Sequence, residues 1–271
     1  MTRPASYFRQ MSVLWGLLLF LNAPTPLWAQ PTAGASSSFN SYSEAVESRL
    51  TRQHRSPNTF LVPAASDPES AQTRLHQGEL IFEKLRPSGA NFSGGLLHHW
   101  RGTAFALGAK AADFERLMRD FNSYPQYFSP QVIQAKVVAQ SGNRMQAQMR
   151  VRQRHVITVV LDTTYDITFG QLDVRHGYSI SQSEQIAEVD GAGTAAERTL
   201  NDNEEHGFLW RLNTYWSYEE RDGGLYLQIE VVSLTRSIPP GLGWAIGPYV
   251  ESIPRESLEF TLRSACNALR K

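Results

Sequence analysis

The side chains that could do chemistry are scattered along this chain. Among its histidines, the adjacent pair His98-His99 is the first to weigh. Neighbouring side chains on a strand point to opposite faces, so this pair cannot close on one metal ion and reads as structural. His155, His176 and His206 have no partner at a ligand spacing such as His-x-x-x-His, and no metal site is expected. A serine nucleophile of the hydrolase type would sit in a Gly-x-Ser-x-Gly turn between strand and helix, and the chain has no such turn. The single cysteine, Cys266, falls on an apolar stripe, where a thiolate is disfavoured, and reads as packing. Gly191-Ala192-Gly193 lacks the third glycine and the following helix of a dinucleotide loop. Gly241-Leu242-Gly243 lacks the parallel strand unit around it. Both read as turns, and no cofactor is expected.

Asp162, Asp166, Glu219 and Glu230 lie in strand-like segments and read as rim or solvent-facing acids rather than catalytic pairs. A buried one would have its pKa raised and could serve as a general acid or base; His155 and Asp162 are the first residues to test for such a role. Arg150, Arg152 and Arg154 alternate, so they line one face. That face is either solvated or an anion-binding strip for an acidic headgroup or a membrane surface, which leaves transient membrane contact open. Lys+Arg and Asp+Glu are both 26, a formal net charge of zero. A nucleic-acid partner normally leaves a basic footprint, and none is expected here. The aromatic residues Trp100, Tyr127, Phe128, Tyr165, Trp210, Trp216 and Tyr218 carry the strongest functional signal. Most large aromatics fill cores, but Tyr and Trp also bring polar tips. A space lined by them suits a flat or long apolar ligand.

These residues must be positioned by a fold. The chain has 271 residues, 41% of them hydrophobic and 19% charged, which is a globular composition. Arg3 and Arg9 precede an apolar run over residues 11–23, followed by Pro24, Pro26 and Ala29. A basic start, a short apolar core and a small exit residue predict a secretory signal peptide over residues 1–29, with export to the periplasm or beyond. Its apolar run is shorter than the roughly 20 residues a membrane span needs. Residues 30–93 read as an N-terminal tether. It carries a short helix over 43–50 that need not pack, a helix begun by Asp67-Pro68, and a strand over 79–85.

Residues 94–271 read as one α+β domain. A strand over 96–107 precedes a helix over 110–121, whose apolar positions 114, 117, 118 and 121 share one face. About six antiparallel strands follow. Gly142-Asn143 marks a hairpin turn, and Asp222-Gly223-Gly224 a second. With Gly223-Gly224 as the loop, Trp216 would face Val231 and Tyr218 would face Ile229. The face holding Trp210, Leu212, Trp216, Tyr218, Leu227, Ile229 and Val231 is then buried, and its opposite face is wet. After Pro239-Pro240, residues 244–250 form an opening turn. Ser252-Ile253-Pro254 then restarts a long amphipathic helix with Leu258, Leu262, Ala265, Cys266 and Leu269 on its apolar stripe. A sheet with one apolar face needs a cover, and this helix is long and apolar enough to supply it.

Two stretches carry a family resemblance. Phe121-Asn122-Ser123-Tyr124-Pro125-Gln126-Tyr127-Phe128 follows the first helix of the domain, and Pro254-Arg255-Glu256-Ser257-Leu258-Glu259-Phe260 lies in the last. With the order of elements, they resemble the START-like superfamily, in its polyketide cyclase/dehydrase and coenzyme Q-binding-like branch, and within that branch exported bacterial members of unassigned function. The resemblance covers roughly residues 94–270. It implies a helix grip, a curved antiparallel sheet wrapped around a long C-terminal helix. It also implies a cavity beneath that helix for a lipid, quinone, sterol or polyketide-like molecule. The aromatic-proline stretch would sit at the cavity mouth. The expected function is binding, and carriage, of such a molecule. The alternative is a cyclase or dehydratase acting on a polyketide-like substrate. No catalytic residue is carried over. The cavity candidates are Trp100, Tyr127, Phe128, His155, Tyr165, Trp210, Trp216, Tyr218, Leu258 and Leu262. Nothing in the sequence sets the oligomeric state.

Overall fold

The computed structural model describes residues 30–64, 67–85, 94–154, 158–237 and 243–270, with side chains of the last helix described from Ser252 onward. The segment read as a signal peptide, and His155, lie outside the described residues. Among the described residues, no helix is long and apolar enough to cross a membrane.

The elements in chain order are α1 (Ala33–Gln53), α2 (Pro68–His76), β1 (Ile81–Lys84), β2 (Gly95–Leu107), α3 (Ala111–Arg119), α4 (Tyr124–Tyr127), β3 (Val132–Ser141), β4 (Arg144–Arg154), β5 (Thr158–Asp173), β6 (His176–Asp190), β7 (Arg198–Thr199), β8 (Arg211–Arg221), β9 (Gly224–Arg236) and α5 (Gly243–Leu269). The sheet runs β1-β2-β9-β8-β6-β5-β4-β3, with β7 paired to β6, and every pairing is antiparallel. Register shifts between β3 and β4 and between β5 and β6 put β-bulges into one half of the sheet. Bulges bend a strand and raise its twist, so this half curls. The result is the expected α+β helix grip, with α5 and α3 packed on the concave face in the main core. Gly102 brings α5 close to β2: a Cβ there would lie 3.3 Å from Leu262 and 3.1 Å from Phe82.

Several expectations need correction. The β8–β9 turn is Asp222-Gly223, both at positive φ (57° and 75°), and Arg221 pairs with Gly224. A tight hairpin of this kind wants positive φ at both central residues, which Asp tolerates and Gly favours. Gly224 belongs to the strand, where a Cβ would stand 2.6 Å from the Ala106 carbonyl oxygen. Trp216 therefore faces Ile229, and Tyr218 faces Leu227. The pairing moves by two residues, so each side chain keeps its face.

The opposite face is not wet. Asn213, Tyr215, Ser217, Gln228 and Glu230 are all buried. The cover is α1, which spans 21 residues and packs Ala35, Phe39, Val46 and Leu50 against Trp210, Tyr215, Val232 and Leu234. The expected short helix over 43–50 is part of this longer, packed one, because the apolar positions at spacings of three and four extend back from Val46 through Phe39 and Ala35. Phe60 and α2 cover the next part of the same face. Finally, α5 is continuous through Pro248 and Pro254, with no break before Ser252.

Candidate functional site

Between α5, the α3–α4 segment and the curled half of the sheet lies a cavity of about 400 Å³. Alternation builds its walls: Leu161, Thr163, Tyr165, Ile167 and Phe169 of β5 face inward, as do Met149 and Val151 of β4. The helical face of α3 adds Met118, and the turn after it adds Phe121, Tyr124 and Phe128. Leu212, Thr214 and Trp216 come from β8, and Ile229, Val231, Ser233 and Thr235 from β9. Ile253, Pro254, Ser257, Leu258 and Thr261 of α5 form the roof.

Phe121, Tyr124 and Phe128 of the aromatic-proline stretch line this wall. Tyr124 packs 4.3 Å from Phe121 and 4.8 Å from Phe128 between ring centroids, and its hydroxyl donates to the Met118 carbonyl at 3.2 Å. Burial pushes the Tyr124 hydroxyl well above the usual phenol range. The Tyr165 hydroxyl is likewise pushed up to about 12 by burial, tempered by Thr163. Both are neutral at ordinary pH.

Gly207, Phe208 and Leu209 of the loop before β8 also line the cavity, as do Arg236 and Ser237. A single buried carboxylate holds this loop. Glu188 accepts the backbone N–H groups of His206 (3.1 Å), Gly207 (2.9 Å) and Phe208 (3.1 Å), and pairs with His206 Nδ1 at 2.7 Å. That hydrogen bond raises the His206 pKa.

Of the expected cavity residues, Phe128, Tyr165, Trp216 and Leu258 line the space. The other described candidates do not, each for a visible reason, and His155 lies outside the described residues. The Tyr127 hydroxyl donates to Asp120 Oδ2 at 2.9 Å, which turns its ring away. Trp100 packs at the margin of the core, with Lys84 Nζ 6.0 Å from its ring. The Tyr218 ring lies across Gly177 on the neighbouring strand, where a Cβ would come within 2.2 Å of its hydroxyl. Leu262 is fully buried against β2. Trp210 precedes the first residue of β8, so strand alternation does not govern it, and it joins the outer cluster under α1.

Missed by the sequence reading were Met149, Val151, Leu161, Ile167 and Phe169. The period of two through Tyr165 carried that signal along β5. Ser179, Ser181, Thr214, Ser233 and Thr235 also line the cavity; the period of two through Leu212 and Trp216 and through Ile229 and Val231 carried that signal for Thr214, Ser233 and Thr235.

The acid candidates point elsewhere. Asp162 sits between inward-facing Leu161 and Thr163 and so faces out. There it takes a two-pronged contact from Arg150 (Nε–Oδ1 2.6 Å, Nη2–Oδ2 2.7 Å), which also pairs with Glu197 at 2.5 Å. Arg150 is thus spent on the protein's own acids. Glu230 is no rim residue: it is buried under α1, paired with Arg49, with His99 Nε2 at 3.0 Å and with Arg101 Nη1 at 3.6 Å. Tyr42 completes this set, its hydroxyl 2.8 Å from His99 Nδ1. His98 and His99 are both buried. Cys266 is buried as well, and desolvation pushes its thiol up to about 11. Among the described residues no cluster of His, Cys, Asp and Glu could hold a metal ion.

No family model and no curated protein matches the chain. Solved structures similar to it include a STAR-related lipid transfer protein from Xanthomonas axonopodis, at 17% identity and TM-score 0.49, covering 71% of this chain and 94% of that one. TTHA0849 from Thermus thermophilus is similar at 15% identity and TM-score 0.45, covering 62% and 94%. The Zhui aromatase/cyclase from a Streptomyces species is similar at 10% identity and TM-score 0.42, covering 65% and 94%. The helix grip itself, an antiparallel sheet packed around α5, rests on this chain's own strand order and core.

Proposed function

We propose that this protein binds a hydrophobic small molecule in the cavity beneath α5 and carries it through an aqueous compartment. One observation supports the reading above the rest. A space of about 400 Å³ is walled by Met118, Phe121, Phe128, Met149, Ile167, Phe169 and Leu258 and has no carboxylate, imidazole or amine among its described lining residues. Apolar surface withdrawn from water is stabilised by roughly 25 cal/mol per Å². A ligand burying ~300 Å² would gain roughly 7 kcal/mol before its ordering costs.

A cyclase or dehydratase needs a general acid or base at the reacting carbon. Tyr124, Tyr165 and Arg236 are the ionisable side chains among the described lining residues. The two tyrosines are held neutral, so neither is a resting base, and Asp162 is engaged on the outside. This supports binding as the primary reading.

Mass spectrometry of an organic extract of the purified protein should reveal an apolar ligand. Lipids or quinones added to the emptied protein should quench Trp216, which lines the space. Val151→Trp, which fills the cavity from β4, should lower affinity by about tenfold or more while leaving the thermal transition in place. An empty extract together with no quenching by lipid, quinone or sterol would refute the proposal.

A further inference from the structure

Strands and helices set most of the cavity wall. Gly207, Phe208 and Leu209 instead belong to the loop before β8, and two ties hold them. The Gly207 carbonyl accepts the Arg236 N–H at 2.9 Å, which fastens the loop to β9. The second tie is the Glu188 side chain. Glu188 lies across from Leu161, so it stands on the face of the sheet that carries the cavity wall, although it is not a lining residue itself. Its carboxylate fills the nest made by the successive N–H groups of His206, Gly207 and Phe208, at 2.9–3.1 Å.

Two further titratable groups of the same loop flank this carboxylate. His206 Nδ1 pairs with it at 2.7 Å. Glu205, itself buried, accepts the Glu188 N–H at 3.2 Å and the Gln30 side-chain N–H at 3.1 Å. Around them, Asp190 and Asp202 add negative charge and Arg236 adds positive charge. Arg198 and Glu204 are paired with each other at 2.7 Å. The hydrogen bond to Glu188 raises the His206 pKa, with burial opposing it. Burial above all, helped by the charges of Glu188 and Asp202, pushes the Glu205 carboxyl up to about 7 against the hydrogen bond from the Glu188 N–H. Both folded values lie above their unfolded ones, so what these protons contribute is lost as pH rises. At pH 6 Glu188 meets an imidazolium and a neutral acid. Rising pH takes the imidazolium away and adds a second carboxylate, and like charges in a dry setting repel strongly.

Resting on the binding reading above, we infer that Glu188 is a positioning residue of the binding site. Through His206, Gly207 and Phe208 it fixes one stretch of wall, and the protons on His206 and Glu205 make ligand affinity fall as pH rises through neutrality. A ligand packed on Phe208 and Leu209 needs the loop in place. Repulsion that populates a displaced loop lowers the apparent affinity by the fraction displaced. The cargo is then held tightly in mildly acidic surroundings and let go more readily in alkaline ones.

The test is the Kd of the neutral fluorophore N-phenyl-1-naphthylamine, measured from pH 6 to pH 9. Parent affinity should fall about three- to tenfold across that range, as linkage requires if the two pKa values differ by roughly half to one unit between loaded and empty protein. Glu205→Gln, which copies the protonated acid, should remove most of the fall. Glu188→Gln keeps an acceptor but no charge. It should bind the fluorophore about threefold or more weaker at pH 6, with a shallower pH profile. A purely structural Glu188 would move the thermal transition and leave the slope alone. Should Glu188→Gln not fold, Glu205→Gln decides by itself. A flat parent profile, a Glu205→Gln profile as steep as the parent's, or a folded Glu188→Gln with the parent's Kd at pH 6 overturns the inference and leaves apolar binding intact. A protein that takes up no fluorophore at any pH overturns the binding reading itself, and this inference with it.

Discussion

At the residue scale, the outer face holds the side chain with the clearest pH signature. His54 lies in the contact between α1 and the sheet, stacked 4.5 Å from Tyr178 and 4.7 Å from Phe60, with Nε2 2.8 Å from Ser217 Oγ. Burial first, and Arg49 second, lower its pKa to about 4, against a smaller opposing pull from Glu230. The folded protein thus keeps His54 neutral at pH values where the unfolded chain, near 6.5, already takes up a proton. Stability from this group is present above about 6.5 and is lost as pH falls toward about 4, by at most ~3 kcal/mol. His54→Gln should flatten that dependence. Denaturant midpoints taken at pH 7 and pH 4.5 check it, and equal slopes for variant and parent would exclude His54 as the cause.

At the element scale, α1 decides whether the convex face is dry. Its contact combines the apolar stripe with Arg49 on buried Glu230, Glu47 accepting from Tyr215 at 3.0 Å, and Tyr42 on His99. Buried ion pairs add little net stability but penalise any arrangement that leaves one partner alone. They therefore fix the register of α1, while Phe39 and Leu50 supply the burial. Phe39→Ala should cost about 3–5 kcal/mol. It should also raise hydrogen exchange over residues 33–53 ahead of the strands beneath. If exchange rises equally in β9, α1 is not a separately released unit. The apolar stripe of residues 43–50 understates this helix because Ala35 and Phe39, which continue it, stand among small polar residues that read as a tether. The β8–β9 face pattern was legible by contrast, since a period of two survives a turn displaced by two residues.

At the scale of the whole molecule, the sheet works on both faces. The half under α1 and α2 is a filled three-layer core; the half curled by its bulges keeps a space under α5. The carrier proposed above would, by this layout, keep the filled core apart from the binding space. We propose that it does this work outside the cytoplasm, on the strength of the basic, then apolar, then small-residue order over residues 1–29. Intact-mass analysis of the protein recovered from a periplasmic or culture fraction should give a chain beginning at or near Gln30. A full-length chain retained in the cytosol would refute export.

The sequence by itself determined the types of the sheet and helix elements of residues 94–271, the face each strand residue takes and the closing amphipathic helix. Those follow from local periodicity and residue chemistry, which act over a few positions. Only the tertiary structure decided which inward-facing residues meet the space and which meet each other. Tyr218 and Trp216 share a face, yet a glycine on the neighbouring strand draws the Tyr218 ring aside while Trp216 stays in the wall. Burial of Glu230 likewise depends on a helix far away in the chain. Such outcomes are set by contacts between residues distant in sequence, so no window along the chain contains them.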